Sequence, residues 1–329
     1  DRGGTRWVEE HPPDPTSDGQ ILPSPRELPS REFGSALGRM TSERAARVGD
    51  DEATTQELAR AYSAWEALRA KDFASFTSEE SSQARELMRS MTWRVGERQS
   101  RRTVAARRGA SVDIRRSLRR LMRSGELLEL SRREHKTKRR PLVVICDISG
   151  SMDRYSRLLL QFLHTVEHGE SPVEVFVFGT RLTRITWQLR TRNIDAALDS
   201  VAQEVQDWSG GTRIGESLRT FNTLWSRRML RRGAVVLVIS DGWDRGDPAV
   251  ISREMAKLQR SSHRLIWLNP LLGSPTYQPL THGIRAALPY VDDFLPVHNL
   301  NSLEALAAKL GSVPARRPVR RQSTQLPPG

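Results

Sequence analysis

The sequence predicts an α/β fold, a doubly wound and mainly parallel sheet preceded by a smaller helical region. Three observations carry this prediction. Beyond Pro141, short β-branched apolar runs alternate with helical stretches, which is how parallel strands and their crossover helices read in one dimension. Two of those runs lead into an aspartate, Ile145-Cys146-Asp147 and Ile239-Ser240-Asp241, which sets both carboxylates at the same end of such a sheet. Upstream, apolar residues recur at three and four positions instead, the spacing of a helix face. At roughly 150 residues per domain, a chain of 329 residues suits about two domains.

Residues 1–45 hold six prolines, among them Pro12, Pro13 and Pro15, and are expected to be disordered or extended, since they lack the apolar surface that offsets ordering. Residues 46–130 are expected to form the helical region and to carry a basic segment. There Leu58, Tyr62, Trp65 and Leu68 share one face, and Thr77 and Glu80 have capping-box spacing ahead of Leu87 and Met88. Ser111 is placed to cap a third helix bearing Ile114, Leu118, Leu121 and Met122, with Gly125 as its end. Residues 131–140 read as a basic linker.

The sheet domain spans 141–311. Strands are expected at 142–145, 173–178, 182–189, 234–239 and 264–268, with a weaker one at 294–297. Helices are expected at 155–168, 194–205, 217–228, 248–260 and 302–310. Gly179-Thr180 between two apolar runs reads as a hairpin, which makes one edge strand antiparallel. Residues 312–329, with four prolines and four arginines, read as a disordered basic tail.

The longest apolar run, six residues at 234–239, falls far short of the roughly 20 that a membrane-spanning helix needs. No apolar leader opens the sequence, and its single cysteine excludes a disulfide framework. A cytoplasmic protein is expected.

The formal charge is +13, from 52 Lys and Arg against 39 Asp and Glu. Residues 94–140 hold 17 Lys or Arg and five acids, +12, and the four tail arginines add +4, which leaves −3 for everything else. The sheet domain is therefore not a basic globule. The basic segment reads as a solvated helix face, as a dock for an acidic protein, or as a phosphate-binding surface whose affinity falls steeply with salt. Residues 94–140 contain no Phe, Tyr or Trp, so the stacking platform of single-strand binders is missing and the protein dock is favoured over nucleic acid.

Asp147-Ile148-Ser149-Gly150-Ser151-Met152 follows the first strand of the domain. Gly210-Gly211-Thr212 presents a hydroxyl on a flexible loop, and Ser240-Asp241-Gly242 follows the strand at 234–239. Two carboxylates and three hydroxyls make an all-oxygen donor set. Such a set suits Mg²⁺, accepts Mn²⁺ or Ca²⁺, and disfavours zinc and copper. Two aspartates roughly neutralise a divalent cation and leave a position for a carboxylate from outside.

Asp147-x-Ser149-x-Ser151, Thr212 and Asp241, in that order between such strands, resemble the metal-ion-dependent adhesion site of von Willebrand factor A domains. The stretches Asp113-Ile-Arg-Arg-Ser-Leu-Arg-Arg and Arg140-Pro-Leu-Val-Val-Ile-Cys-Asp-Ile-Ser-Gly-Ser-Met look like the CoxE-like family, over roughly residues 50–310. The resemblance implies a Rossmann-like A domain. It implies that Ser149, Ser151 and Thr212 bind the metal most directly, and Asp147 and Asp241 directly or through water. It also implies a non-enzymatic accessory factor working with a MoxR-type AAA+ ATPase. The client would be an enzyme under maturation that offers an Asp or Glu, a carbon monoxide dehydrogenase-like molybdoenzyme being one instance. The alternative is an RNA-binding protein that uses the A domain as a scaffold.

Three further patterns compete. His164-x-x-Glu167-His168 has the spacing of an inverted zinc-protease motif, but Gly169 follows and His suits a helix C-terminus. Residues 210–217 have the glycine spacing of a phosphate loop, but Glu216 stands where lysine is needed. Ser149 and Ser151 lack the Gly-x-Ser-x-Gly elbow of a serine nucleophile. Cys146 reads as a core residue, and Trp187, Trp225 and Trp267 as core or groove aromatics. Trp208 and Trp243 flank the two metal loops.

Overall fold

Thr77 and Glu80 do form a capping box, and it opens the first full helix. Thr77 Oγ1 accepts from the Glu80 amide at 3.2 Å, and Glu80 Oε2 accepts from the Thr77 amide at 2.8 Å. The computed structural model describes residues 63–124, 129–205, 211–274 and 277–317. The expectations for 1–45, Leu58, Tyr62, Gly125, Trp208 and residues 318–329 lie outside the described residues.

In chain order the first elements are α1 (residues 63–70), α2 (Ser78–Ser90), β1 (Glu97–Ala106), β2 (Ser111–Val112), α3 (Ile114–Ser124) and β3 (Arg132–Arg139). The main domain follows with β4 (Leu142–Asp147), α4 (Asp153–Glu167), β5 (Val173–Phe178), β6 (Leu182–Arg184) and α5 (Ile194–Glu204). It continues with α6 (Ile214–Leu224), β7 (Val235–Ile239), α7 (Pro248–Ser261), β8 (Arg264–Asn269), β9 (Asp293–Pro296) and α8 (Leu300–Gly311). Among the described residues no helix is long and apolar enough to cross a membrane.

Six strands form the main sheet in the order β6-β5-β4-β7-β8-β9, all parallel except β6, which pairs antiparallel with β5. Every residue of β4 and β7 is buried, as expected of strands covered on both faces. On one face Val143, Ile145, Phe176, Val236, Val238 and Trp267 share a core with α6, α7 and the short helix His282–Ala287. Alternate residues point to the other face, where α4 packs on β5. The chain runs from β4 outward through β5 and returns to place β7 on the other side of β4. The strand order therefore reverses at the carboxyl ends of β4 and β7, the crevice position where such sheets bind ligands.

Part of the N-terminal reading needs correction. The expected helical region does contain α1, α2 and α3. The basic linker at 131–140, however, is mostly strand β3, which pairs antiparallel with β1 and β2 in a second, three-stranded sheet ordered β1-β3-β2. Neither β1 nor β3 shows apolar alternation, because nearly all of their residues face solvent; their pairing partners are instead remote in sequence. Asp113, not Ser111, caps α3, accepting from the Arg116 amide at 3.0 Å, while Ser111 lies in β2. The strand expected at 182–189 stops at Arg184. Thr186 Oγ1 takes the Val175 amide at 2.9 Å in place of a ladder carbonyl, and a helical turn Thr186–Leu189 follows. The expected tail is packed as far as residue 317: His263 Nε2 contacts Pro314 O at 2.9 Å, Arg140 reaches Ala315 O at 2.5 Å, and Val313 is buried.

The N-terminal segment is joined to the main domain within one compact unit. Phe73 N donates to His298 O at 2.7 Å, Val95 N to Ser171 Oγ at 2.8 Å and Gly96 N to Leu310 O at 2.9 Å. Trp93 is buried edge-on against Phe162 of α4, with centroids 4.9 Å apart, and its indole donates to Met88 O at 3.2 Å. Replacing Trp93 with Ala should cost about 3–5 kcal/mol and lower the melting temperature by roughly 6–20 °C in a single transition. Calorimetry checks this; a shift under about 2 °C, or two separate transitions, would mean that the segment is not integral to the domain.

Candidate metal centre

β4 ends on Asp147, and the Gly150-Ser151-Met152 turn then leads into α4. Asp147 is fully buried, Ser149 and Asp241 nearly so, Thr212 is buried and Ser151 is exposed. Asp147 Oδ1 accepts the Ser149 amide at 2.9 Å, which folds the loop back over the carboxylate. Asp147 Oδ2 accepts the Ser240 hydroxyl at 2.7 Å, a link from β4 to the loop after β7. Ser149 Oγ and Ser151 Oγ lie 3.3 Å apart, and the Ser151 hydroxyl is near enough to Asp241 to favour its charged form. Four of the five expected residues, Asp147, Ser149, Ser151 and Asp241, thus come together.

Thr212 comes from the loop before α6. Its carbonyl accepts the Arg245 amide at 3.0 Å, and the neighbouring Arg213 amide bonds Gly179 O at 3.1 Å beyond β5. The Thr212 loop is thereby tied to the Asp241 loop on one side and to the β5–β6 turn on the other.

Two contributors escaped the sequence reading. Ser240 has no role in the sequence motif; besides bonding Asp147 it accepts the Gly242 amide at 2.9 Å, and its carbonyl takes the Trp267 indole at 2.9 Å. Asp244 caps α6 from across the crevice, its Oδ1 accepting the Ile214 amide at 2.7 Å. A carboxylate three residues after Asp241 was the available signal, but its helix lies 30 positions upstream. Gly242 has φ +79, and a Cβ there would fall 2.1 Å from Ile284 Cγ1, so only glycine lets the loop turn under the short helix His282–Ala287.

The electrostatics of the pair are unfavourable without a cation. Burial raises the Asp147 carboxyl to about 7, with the Asp241 charge adding to the rise and the Ser149 and Ser240 donors opposing it. Burial raises Asp241 as well, against the Trp243 amide and the Ser151 hydroxyl. Among the described residues neither carboxylate has an ion-pair partner. No cluster of three or more His, Cys, Asp and Glu with metal-binding geometry exists among them either. A cation here would rely on hydroxyl as well as carboxylate oxygens, and the donor set fits a hard divalent ion.

The competing patterns resolve into structural parts. His164 Nε2 contacts Thr191 O at 2.7 Å, His168 Nδ1 contacts His164 O at 2.8 Å, and Glu167 pairs with Arg190 at 2.9 Å, so the His-Glu-His set is committed to closing the end of α4. Glu216 pairs with Arg213 at 3.1 Å on α6. Cys146 is a buried strand residue whose thiol burial holds in the protonated form. Trp267 is core and Trp225 packs against it, but Trp187 is a correction: it is 64% exposed and stacks with Arg190. Trp243, beside Asp241, is equally exposed.

Residues 84–303 match the family described as VWA domain containing CoxE-like protein. The match covers more than half of the chain, and the chain belongs to this family. No curated protein sequence is significantly similar. Solved structures similar to this chain include a von Willebrand factor type A protein from Catenulispora acidiphila, 14% identical with a TM-score of 0.38. That alignment covers 67% of this chain and 51% of the other, so this chain spans about half the length of that protein. An aerotolerance-related membrane protein from Bacteroides fragilis is 16% identical over 52% of this chain and 97% of its own, with a TM-score of 0.34. BatB from Bacteroides thetaiotaomicron is 18% identical over 52% and 96%, also with a TM-score of 0.34.

The raised Asp147 carboxyl has a signed consequence. Between its ordinary value of 3.8 and about 7, the native chain holds a proton that the unfolded chain has released. In chelator, stability should therefore fall as pH rises from about 4 to about 7, by up to on the order of 4 kcal/mol. Asp147→Asn should flatten most of that slope. Urea denaturation across a pH series reads it, and an equal slope in both proteins would refute the assignment.

Proposed function

We propose that this CoxE-like protein is a metal-dependent adaptor, and not itself an enzyme, which captures a partner carboxylate at the crevice between β4 and β7. The observation that carries the reading is the pair of buried aspartates that have no ion-pair partner among the described residues, set beside the Ser149 and Ser151 hydroxyls at the switch point of the sheet. Asp147, Ser149, Ser151, Thr212 and Asp241 would hold Mg²⁺, with Mn²⁺ or Ca²⁺ able to substitute. The ion would supply positive charge and a free coordination position for an Asp or Glu of the partner.

The chain's own residues set the selectivity. Ser149 N and Ser240 Oγ hold both oxygens of Asp147 in place, so the carboxylate does not need to reorganise on binding. Trp243 N holds Asp241 Oδ1 at 3.0 Å. The exposed Ser151 and Trp243 lie at the mouth, where a partner would arrive. Family membership supports a protein-interaction role. We propose as partners a MoxR-type AAA+ ATPase and a client enzyme under maturation, a molybdoenzyme of the carbon monoxide dehydrogenase kind being one instance. A cytoplasmic location fits such partners.

Affinity purification of the full chain in Mg²⁺ and in EDTA, read by mass spectrometry, tests the proposal. An AAA+ ATPase and a client should be recovered in Mg²⁺ and reduced at least about tenfold in EDTA, in Asp147→Ala and in Thr212→Ala. Circular dichroism of each variant should match the parent. Equal recovery in both buffers and both variants would sink the proposal.

A further inference from the structure

The second sheet and α3 form an arm whose packing is inverted. α3 turns its polar Ser117 inward: Ser117 is 4% exposed, donates to Asp113 O at 2.9 Å and accepts the Ser131 amide at 2.9 Å. Ile114, Leu118 and Met122 form an apolar stripe that faces out, while Leu121, four residues after Ser117, is half-buried. Ile114 is 67%, Leu118 53% and Met122 85% exposed, at the i, i+4, i+8 spacing of one helix face. Arg115 and Arg119 border that stripe and are exposed too. An ordinary surface helix buries such a stripe and exposes its polar side. Here nothing among the described residues covers it.

The strands beside the helix carry unbalanced charge. Arg98 stands directly opposite Lys138, a like-charge cross-strand pair that disfavours the ladder. Between Gln99 and Thr103 the register shifts, which sets Arg101 and Arg102 on a bulge facing the Lys136 position. The whole segment 94–140 carries +12.

We infer that this arm is a docking surface for an acidic protein partner, one that offers an apolar strip edged with carboxylates, such as an acidic amphipathic helix. The two halves of the surface select that chemistry together. Carboxylates relieve the arginine repulsion, as phosphates would. Phosphates, however, give Ile114, Leu118 and Met122 nothing apolar to bury against, whereas a helix face or groove does. The absence of Phe, Tyr and Trp from residues 94–140 also removes a base-stacking platform. This surface is separate from the metal crevice, and it stands whether or not that crevice binds a cation.

The test is fluorescence anisotropy with the full chain and a labelled synthetic 18-residue helix, with Leu along one face and Glu along both borders. Two control peptides replace every Leu by Ser or every Glu by Gln. A single-stranded 20-nucleotide RNA is the third probe, and all measurements are made in EDTA so that the metal crevice takes no part. The acidic amphipathic peptide should bind, and either control should bind at least about tenfold more weakly. Leu118→Asp/Met122→Asp and Arg115→Glu/Arg119→Glu should each weaken it to a similar degree. The replaced residues are exposed, so melting temperatures should match the parent, and Leu118→Ser provides a milder second variant. Three results would overturn the inference. One is no binding of the acidic peptide. Another is RNA binding that the arginine variant abolishes and the Leu118/Met122 variant leaves intact. The last is a dimer in sedimentation that Leu118→Asp dissolves, which would assign the stripe to a second copy of this chain.

Discussion

The Asp147 carboxylate is the point on which the crevice depends. It closes the central strand of the sheet, and each of its oxygens is bonded to a different loop. Ser149 N ties it to the turn entering α4, and Ser240 Oγ ties it to the loop leaving β7. Ser240 passes the connection to Gly242 and Trp267, so the core tryptophan beneath the sheet and the turn above it share one hydrogen-bonded chain. Without those donors a buried carboxylate would be intolerable, and with them it is held charged only in part at neutral pH.

The rest of the crevice follows from how the loops are pinned. Asp244 caps α6 while Arg245 N holds the Thr212 carbonyl, so the loop carrying Thr212 is tied to the loop carrying Asp241. The short helix His282–Ala287 lies against Gly242 with no room for a side chain, which fixes the Asp241 turn from behind. Hydrogen bonds from several elements thus hold both loops in place.

The arm has different physics. The main domain buries its central strands β4 and β7 on both faces, whereas β1 and β3 expose nearly all of their residues, and α3 is held through Ser117 and Ser131 while Ile114, Leu118 and Met122 stay exposed. Trp93 and the Gly96–Leu310 contact anchor the base of this region to the domain. Stability thus resides in the sheet domain and its N-terminal straps, and the arm is left free to present charge and apolar surface.

The sequence by itself determined the doubly wound sheet, because strands buried on both faces must be continuous apolar runs, and it determined Asp147, Ser149, Ser151, Thr212 and Asp241 as candidates, because each sits at the end of such a run or in a glycine loop. It also determined the Thr77–Glu80 cap, a contact between residues three apart. Tertiary structure decided what depends on distant partners. β3 is a strand only because β1 and β2 pair with it, and no periodicity marks a strand that faces water on both sides. Ser240 and Asp244 acquire their roles across 93 and 30 positions of chain. The outward stripe of α3 has the spacing of a buried helix face, and sequence spacing identifies the stripe but not the side from which the helix is held.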